Sequence, residues 1–334
     1  MKRRGFLLSL AAAGTAAGCA PMALQQRLTP GAGFAGPSLG EEVFVGFDGA
    51  RLGLTIWQTP APPVAVVVGL HGMNDYANAF HFSAPVWAGQ GIATYAFDQR
   101  GFGRSVGRGI WAGADLMTED LRVFVDLVKA RHPGVPIIVA GESMGGAVAI
   151  CAFASDRPPA ADRLVLMAPA VWGWSSQPLP NKTLLWLTAN LSPGQVVTPP
   201  GWLARTIKPS DNAEELIAMG RDRLMIWGAR PDTVYGLVTL MEEAWREVGK
   251  VEVPTAYLYG ANDDVIPKPP SLKAAARLKK TDRTAYYAHG YHLLMRDHQR
   301  AVVIGDAASF ILRPDLPLPS GAPPVPARMN RSGV

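Results

Sequence analysis

Six short apolar runs constrain this chain more than any other feature. VAVVVGL at 64–70 and IATYAFD at 92–98 carry almost no polar residue, as expected of strands buried on both faces of a parallel sheet. Further strands are expected at 135–140, RLVLMAP 163–169, TAYLYG 255–260 and TAYYAHG 284–290. Ahead of them, EEVFVGFDGARLGLTIW (41–57) reads as two strands about an Asp48-Gly49 turn. Helical spacing falls between the runs, as at Leu121, Phe124, Val125 and Val128. Strands alternating with helices predict an α/β architecture, a doubly wound and mainly parallel sheet with ligands at the carboxyl ends of its strands.

One stretch breaks the rhythm. Residues 170–250 contain no buried strand pattern but do contain helices, the clearest with Val234, Leu237, Val238, Met241, Trp245 and Val248 on one face. Six of the nine tryptophans lie here: Trp172, Trp174, Trp186, Trp202, Trp227 and Trp245. The segment reads as a helical cap inserted after the sixth strand, with residues 41–169 and 251–312 forming the core. LLWLTANL (184–191) is apolar nearly all round, which suits a hydrophobic ligand channel or a membrane-facing edge. Residues 20–40 lack periodicity and read as a tether, and 313–334, with six prolines, as an extended or disordered tail.

The first residues, MKRRGFLLSLAAAGTAAGCAP, combine a basic start, a short apolar run and small residues leading to Cys19. That is the anatomy of a secretory signal peptide over residues 1–18, too short to span a bilayer as a mature helix. RRGFL looks like a twin-arginine export signal. AAGC ending at Cys19 is similar to a bacterial lipobox, so Cys19 is expected to carry a lipid anchor in the bacterial cell envelope, facing the periplasm or exterior. Cys151, the other cysteine, would then have no disulfide partner and a packing role. Without Lys2, Arg3 and Arg4 the formal charge of +5 becomes +2, and no dense Lys/Arg run remains to attract nucleic acid. A 48% hydrophobic, 18% charged composition is that of a globular protein.

The fifth strand ends in GESMGG (141–146), Gly-x-Ser-x-Gly opening into an Ala-rich segment, the pattern of a nucleophile elbow around Ser143. A serine hydroxyl needs a base. Six histidines are available, and His292 falls in the loop after the last strand; His289, at that strand's end, is its rival. An acid should stand at another strand end. YGANDDVIP supplies Asp263, preferred, and Asp264. The order Ser143, Asp263, His292 is that of the α/β-hydrolase fold. An oxyanion hole needs two backbone N–H groups: one follows the nucleophile, at Met144, and the other is expected in the loop GLHGMNDYANAF, at Met73 beside Gly72. His71 reads as a stabiliser of that loop.

HGMNDYANAF, FDQRGFGRS (97–105), GESMGG, YGANDDVIP and GYHLL together resemble the monoacylglycerol lipase and lysophospholipase branch of the α/β-hydrolases, over roughly residues 40–312. The resemblance implies Ser143 as nucleophile, Asp263 and His292 as its partners, and Met73 and Met144 as oxyanion donors. The DQRGFGRS loop is in such proteins a structural turn, so Asp98 and Arg100 receive no catalytic role. The expected activity is a carboxylic ester hydrolase on a small hydrophobic substrate. No organic cofactor and no metal is expected, since neither a dinucleotide Gly fingerprint nor a Cys/His cluster of metal spacing is present. Two other readings remain at this stage. An aminopeptidase or amidase would need an acidic patch in the cap, where Glu214, Glu215, Glu242, Glu243 and Glu247 are available. A non-catalytic, lipid-binding envelope lipoprotein would expect a broken triad.

Overall fold

A computed structural model describes residues 22–198 and 206–326. Among the described residues nine strands form one sheet in the order β1-β2-β3-β5-β4-β6-β7-β8-β9. The ranges are β1 Ser38–Leu39, β2 Val43–Val45, β3 Arg51–Trp57, β4 Ala65–Leu70, β5 Ile92–Phe97, β6 Ile137–Glu142, β7 Arg163–Met167, β8 Thr255–Gly260 and β9 Arg283–Tyr287. β1, β2 and β3 pair antiparallel, β3 joins β5 antiparallel, and from β5 to β9 every pairing is parallel. The apolar runs therefore become the central strands, and β4, β5, β6 and β8 are buried at every position. The two-residue β1 was not legible in the sequence, so the cap follows the seventh strand.

The alternation of side chains divides the core in two. Val66, Val68, Ile137 and Val139 face a cluster completed by α2 (Ala114–Arg131) and α3 (Met144–Phe153). Val67, Ile138 and Ala140 face the other, completed by α1 (Ser83–Ala88) and α8 (Arg300–Leu312). This is the period of two that a pleated strand imposes. Between β7 and β8 the chain forms α4 (Leu179–Leu191), α5 (Ala213–Arg221) and α6 (Pro231–Glu247). A proline at the first position opens α6, where its missing N–H costs nothing. Val238, Met241 and Ala244 bury one face of α6, which packs on α3. Trp202 lies outside the described residues. After β8, α7 (Lys268–Ala275) returns the chain to β9.

The DQRGFGRS loop is a structural hub. Arg100 is 1% exposed and bonds Asp48 and Asp120 through its whole guanidinium fork. Burial pushes the Asp120 carboxyl up to about 6, against the opposing pull of Arg100. Asp98 accepts from the Ala77 and Arg104 N–H groups and from the Arg104 side chain, fixing the turn. Cys151 is buried, and burial raises its thiol well above its ordinary value, which makes it a packing residue.

The N-terminal segment departs from expectation, and the tail takes the extended of its two expected forms. Residues 22–39 are docked rather than a free tether. The Ala23 N–H donates to Asp232, the Leu28 N–H to Asp48, and the Gln25 amide to the Ile110 carbonyl at 2.7 Å. These bonds are polar and one at a time, so no hydrophobic period announces them. The described part of the proline-rich tail is likewise ordered along the edge strand. The Pro323 carbonyl accepts from Tyr286, Val325 donates to Thr284, and Ser320 bonds Asp306. Proline has no N–H to give, yet its carbonyl still accepts, so a proline-rich strap can cover a sheet edge without inviting another strand. Residues 327–334 lie outside the described residues.

Candidate active site

Ser143 caps the N-terminus of α3 at φ 52° and ψ −116°, a left-handed backbone rare for a residue with a Cβ. Such a conformation costs about 1–3 kcal/mol and persists only where neighbours enforce it. Here the Ser143 N–H donates to the Met167 carbonyl on β7, while its own carbonyl accepts from Ala147 and Ala170. A Cβ at Gly145 would collide with the Leu70 carbonyl, so the glycine lets the elbow sit on the end of β4. Ser143 stands at the carboxyl end of the central strand β6 and is 7% exposed.

The loop after β4 closes on this elbow. A Cβ on Gly72 would lie 3.3 Å from the Ser143 Cβ, a tight contact that glycine avoids where the loop passes the elbow. Met144 is the first residue of α3, and its N–H has no partner within the helix. His71 is fully buried. Its Nε2 accepts the Gln99 N–H, and its Nδ1 donates to the Gly72 carbonyl at 2.8 Å. Burial lowers its pKa, and with both nitrogens engaged it braces the loop.

His292 and Asp263 meet across the ends of β8 and β9. The His292 Nδ1–H donates to Asp263 Oδ2 at 2.9 Å, while Asp263 Oδ1 accepts from the Val265 and Ile266 N–H groups. Both residues are 4% exposed, whereas Asp264 and His289, the alternatives read from sequence, are exposed. Burial opposes charge on the His292 ring, but Asp263 and then Glu142 outweigh it and raise its pKa above the ordinary imidazole value. A carboxylate bonded to Nδ1 fixes the tautomer, leaving Nε2 to accept a proton. Among the described residues no hydrogen bond joins Ser143 Oγ to the ring; in unliganded enzymes such bonds are often long and tighten with substrate. Cys19 lies outside the described residues.

Three further residues at this site were missed in the sequence. Arg296, 2% exposed, pairs with Asp75 at 2.7 Å and with Glu142, the residue before Ser143. A charge at the end of an otherwise apolar strand, PIIVAGE, and another within HLLMRD were the available signals.

A mainly parallel sheet, a strained serine elbow at the end of a central strand and a buried Asp–His pair beyond two neighbouring strand ends define an α/β-hydrolase. Residues 61–299 match the model of the family described as serine aminopeptidase, S33, and the chain belongs to that family. It is 28% identical over 276 residues to a monoacylglycerol lipase of Mycolicibacterium smegmatis, covering 81% of this chain and 96% of that one. It is 26% identical over 262 residues to the human monoglyceride lipase, covering 76% and 83%. Among solved structures, a soluble variant of monoglyceride lipase from Saccharomyces cerevisiae superposes with a TM-score of 0.68 at 17% identity, over 86% of this chain and 98% of that one. The monoacylglycerol lipase of Paleococcus ferrophilus gives 0.64 at 20%, over 78% and 98%.

Proposed function

We propose that the protein is a serine esterase of lipid-like carboxylic esters, of the monoacylglycerol or lysophospholipid type, working through an acyl-enzyme. The observation that carries this reading is the buried His292–Asp263 bond beside a serine held at φ 52°. Ser143 Oγ attacks the ester carbonyl while His292 Nε2 takes its proton. The Met73 and Met144 N–H groups receive the developing oxyanion. As the tetrahedral adduct collapses, His292 protonates the leaving alcohol. Water then attacks the acyl-Ser143 bond, again giving its proton to His292, and releases the acid.

Similarity to proteins named monoacylglycerol and monoglyceride lipases supports the substrate class. So does α4, where Leu179, Leu184, Trp186 and Leu191 are each more than half exposed. An aminopeptidase, which the family's description also suggests, would need free carboxylates for a substrate amine. Glu242 is taken by the Ser175 N–H and Arg246, Glu215 by His81, and Glu247 by Lys250, while Glu214 and Glu243 are exposed on helix surfaces. We also propose the envelope location: export by the N-terminal signal, with a diacylated Cys19 as membrane anchor.

The test is Ser143→Ala with p-nitrophenyl esters, monoacylglycerols and lysophospholipids as substrates. The variant should fold and lose about 10⁴-fold or more in turnover. It should also fail to react with a fluorophosphonate that labels the wild type. Undiminished hydrolysis by this variant would overturn the assignment.

A further inference from the structure

The buried Arg296 joins three segments that the proposed reaction needs in register. It sits in the turn after His292, closed by bonds from the Arg296 and Asp297 N–H groups to the Leu293 carbonyl. One guanidinium nitrogen reaches Asp75, in the loop that carries Met73, and the other reaches Glu142, adjacent to Ser143. Asp75 is further tied into its own loop, with its N–H on the Gly72 carbonyl and its carboxylate on the Tyr76 N–H. From the cap, Asn212 Nδ2 donates to the Arg296 carbonyl. The three segments follow β9, β4 and β6, which are not all neighbours in the sheet, so backbone pairing alone does not set their spacing.

We propose that Arg296 is a positioning residue that holds the Met73 loop and the Ser143 elbow, through Asp75 and Glu142, against the turn bearing His292. This rests on the serine esterase reading above. A planar guanidinium suits the task, since its rigid fork holds two carboxylates at a set angle, whereas a lysine would supply only a point charge. Its loss acts on turnover rather than on ground-state binding, because the geometry it sets matters where the nucleophile, base and oxyanion donors act together.

Charge gives a second, independent readout. The groups bearing on His292 are Asp263 from the loop after β8, Glu142 from the end of β6 and Arg296 from its own turn; Glu142 raises the ring pKa and Arg296 lowers it. Burial already raises the Glu142 carboxyl against the pull of Arg296, so Arg296→Met favours its protonation as well as removing a cation, and the charge readout is taken at Glu142→Gln. Removing the Glu142 charge moves the ring down. A residue that merely filled space would not move it.

The experiment measures kcat, KM and the acid limb of kcat/KM against pH for Arg296→Met, Arg296→Lys and Glu142→Gln, with thermal melts confirming the fold. Wild type and Ser143→Ala run alongside, so that an inactive wild type or an active Ser143→Ala condemns the functional reading rather than this one. Expected are kcat losses of about 10²-fold in Arg296→Met with KM within about threefold, and a partial loss in Arg296→Lys. The acid limb should move to lower pH in Glu142→Gln. Should Arg296→Met fail to fold, the other two variants decide. Folded Arg296→Lys and Glu142→Gln with wild-type kcat and an unmoved acid limb would overturn the proposal.

Discussion

The Tyr76 hydroxyl donates to Asp222 Oδ2 at 2.6 Å, joining the loop after β4 to the cap. Two residues away the Asn74 carbonyl accepts the Ile226 N–H, and Arg108 gathers the carbonyls of Arg223, Leu224 and Met225. The cap is therefore fastened to the same loop whose Met73 N–H is proposed to face the oxyanion. Under the proposed mechanism, movement of the cap and placement of that N–H would share one piece of backbone.

Tyr76→Phe removes that bond while keeping the ring. A hydrogen bond to a charged acceptor contributes about 1.5–3 kcal/mol, so the melting temperature should fall measurably. If the cap encloses the longer acyl chain in the proposed reaction, turnover of long-chain esters should fall more than that of short-chain ones. Equal losses on both would separate the cap from the oxyanion loop.

Asp263→Asn keeps the size of the side chain and removes its charge. The ring must be neutral to take the Ser143 proton, so wild-type kcat/KM should fall as pH drops through a value above the ordinary 6.5 of imidazole. In the variant the ring loses its main raising partner, so the acid limb should move to lower pH. At neutral pH the rate should drop by about 10⁴-fold, the loss expected when the wrong tautomer is favoured. A pH–rate profile of both proteins checks the sign.

Arg100→Met strands two buried carboxylates, Asp48 and Asp120, without their cation. Leaving a buried charge unpaired costs about 3–5 kcal/mol, far more than a surface ion pair contributes. Urea denaturation should show a loss of that size. Because the cluster makes no contact with the Asp263–His292 pair, the folded fraction should keep its KM.

Cys19→Ala tests the proposed anchor. The full-length protein, expressed with its leader, should partition into the detergent phase of a Triton X-114 separation, and the variant into the aqueous phase. Detergent partition by both would remove lipidation from the account.

The legible features share a physical origin. Central strands such as VAVVVGL declare themselves because burial on both faces forbids polar residues. The elbow declares itself because its backbone must pass Leu70 so closely that glycine is required. His292 reads from its place in the loop beyond the last strand, where His289 is still at the strand end, and Asp263 from the family motif; in the fold His292 and Asp263 are buried while His289 and Asp264 are exposed. Asp75, Glu142 and Arg296 were hidden because their meaning lies in pairing across some 220 residues of sequence, which no local pattern records. The docked ends were hidden for another reason: single polar bonds, such as those of Gln25 and Ser320, have no period to detect.

The docking of residues 22–28 sets how far a lipidated Cys19 could lie from the folded body. Ala23 is fixed on Asp232 at the first turn of α6. Four residues of fully extended chain span at most about 14 Å. With so short a leash the enzyme could tilt and rotate over its leaflet but not diffuse away from it. Its encounters with substrate would then be set by the surface density of lipids in the patch beneath it, and mutations that free residues 22–28 would change its catchment without touching its chemistry.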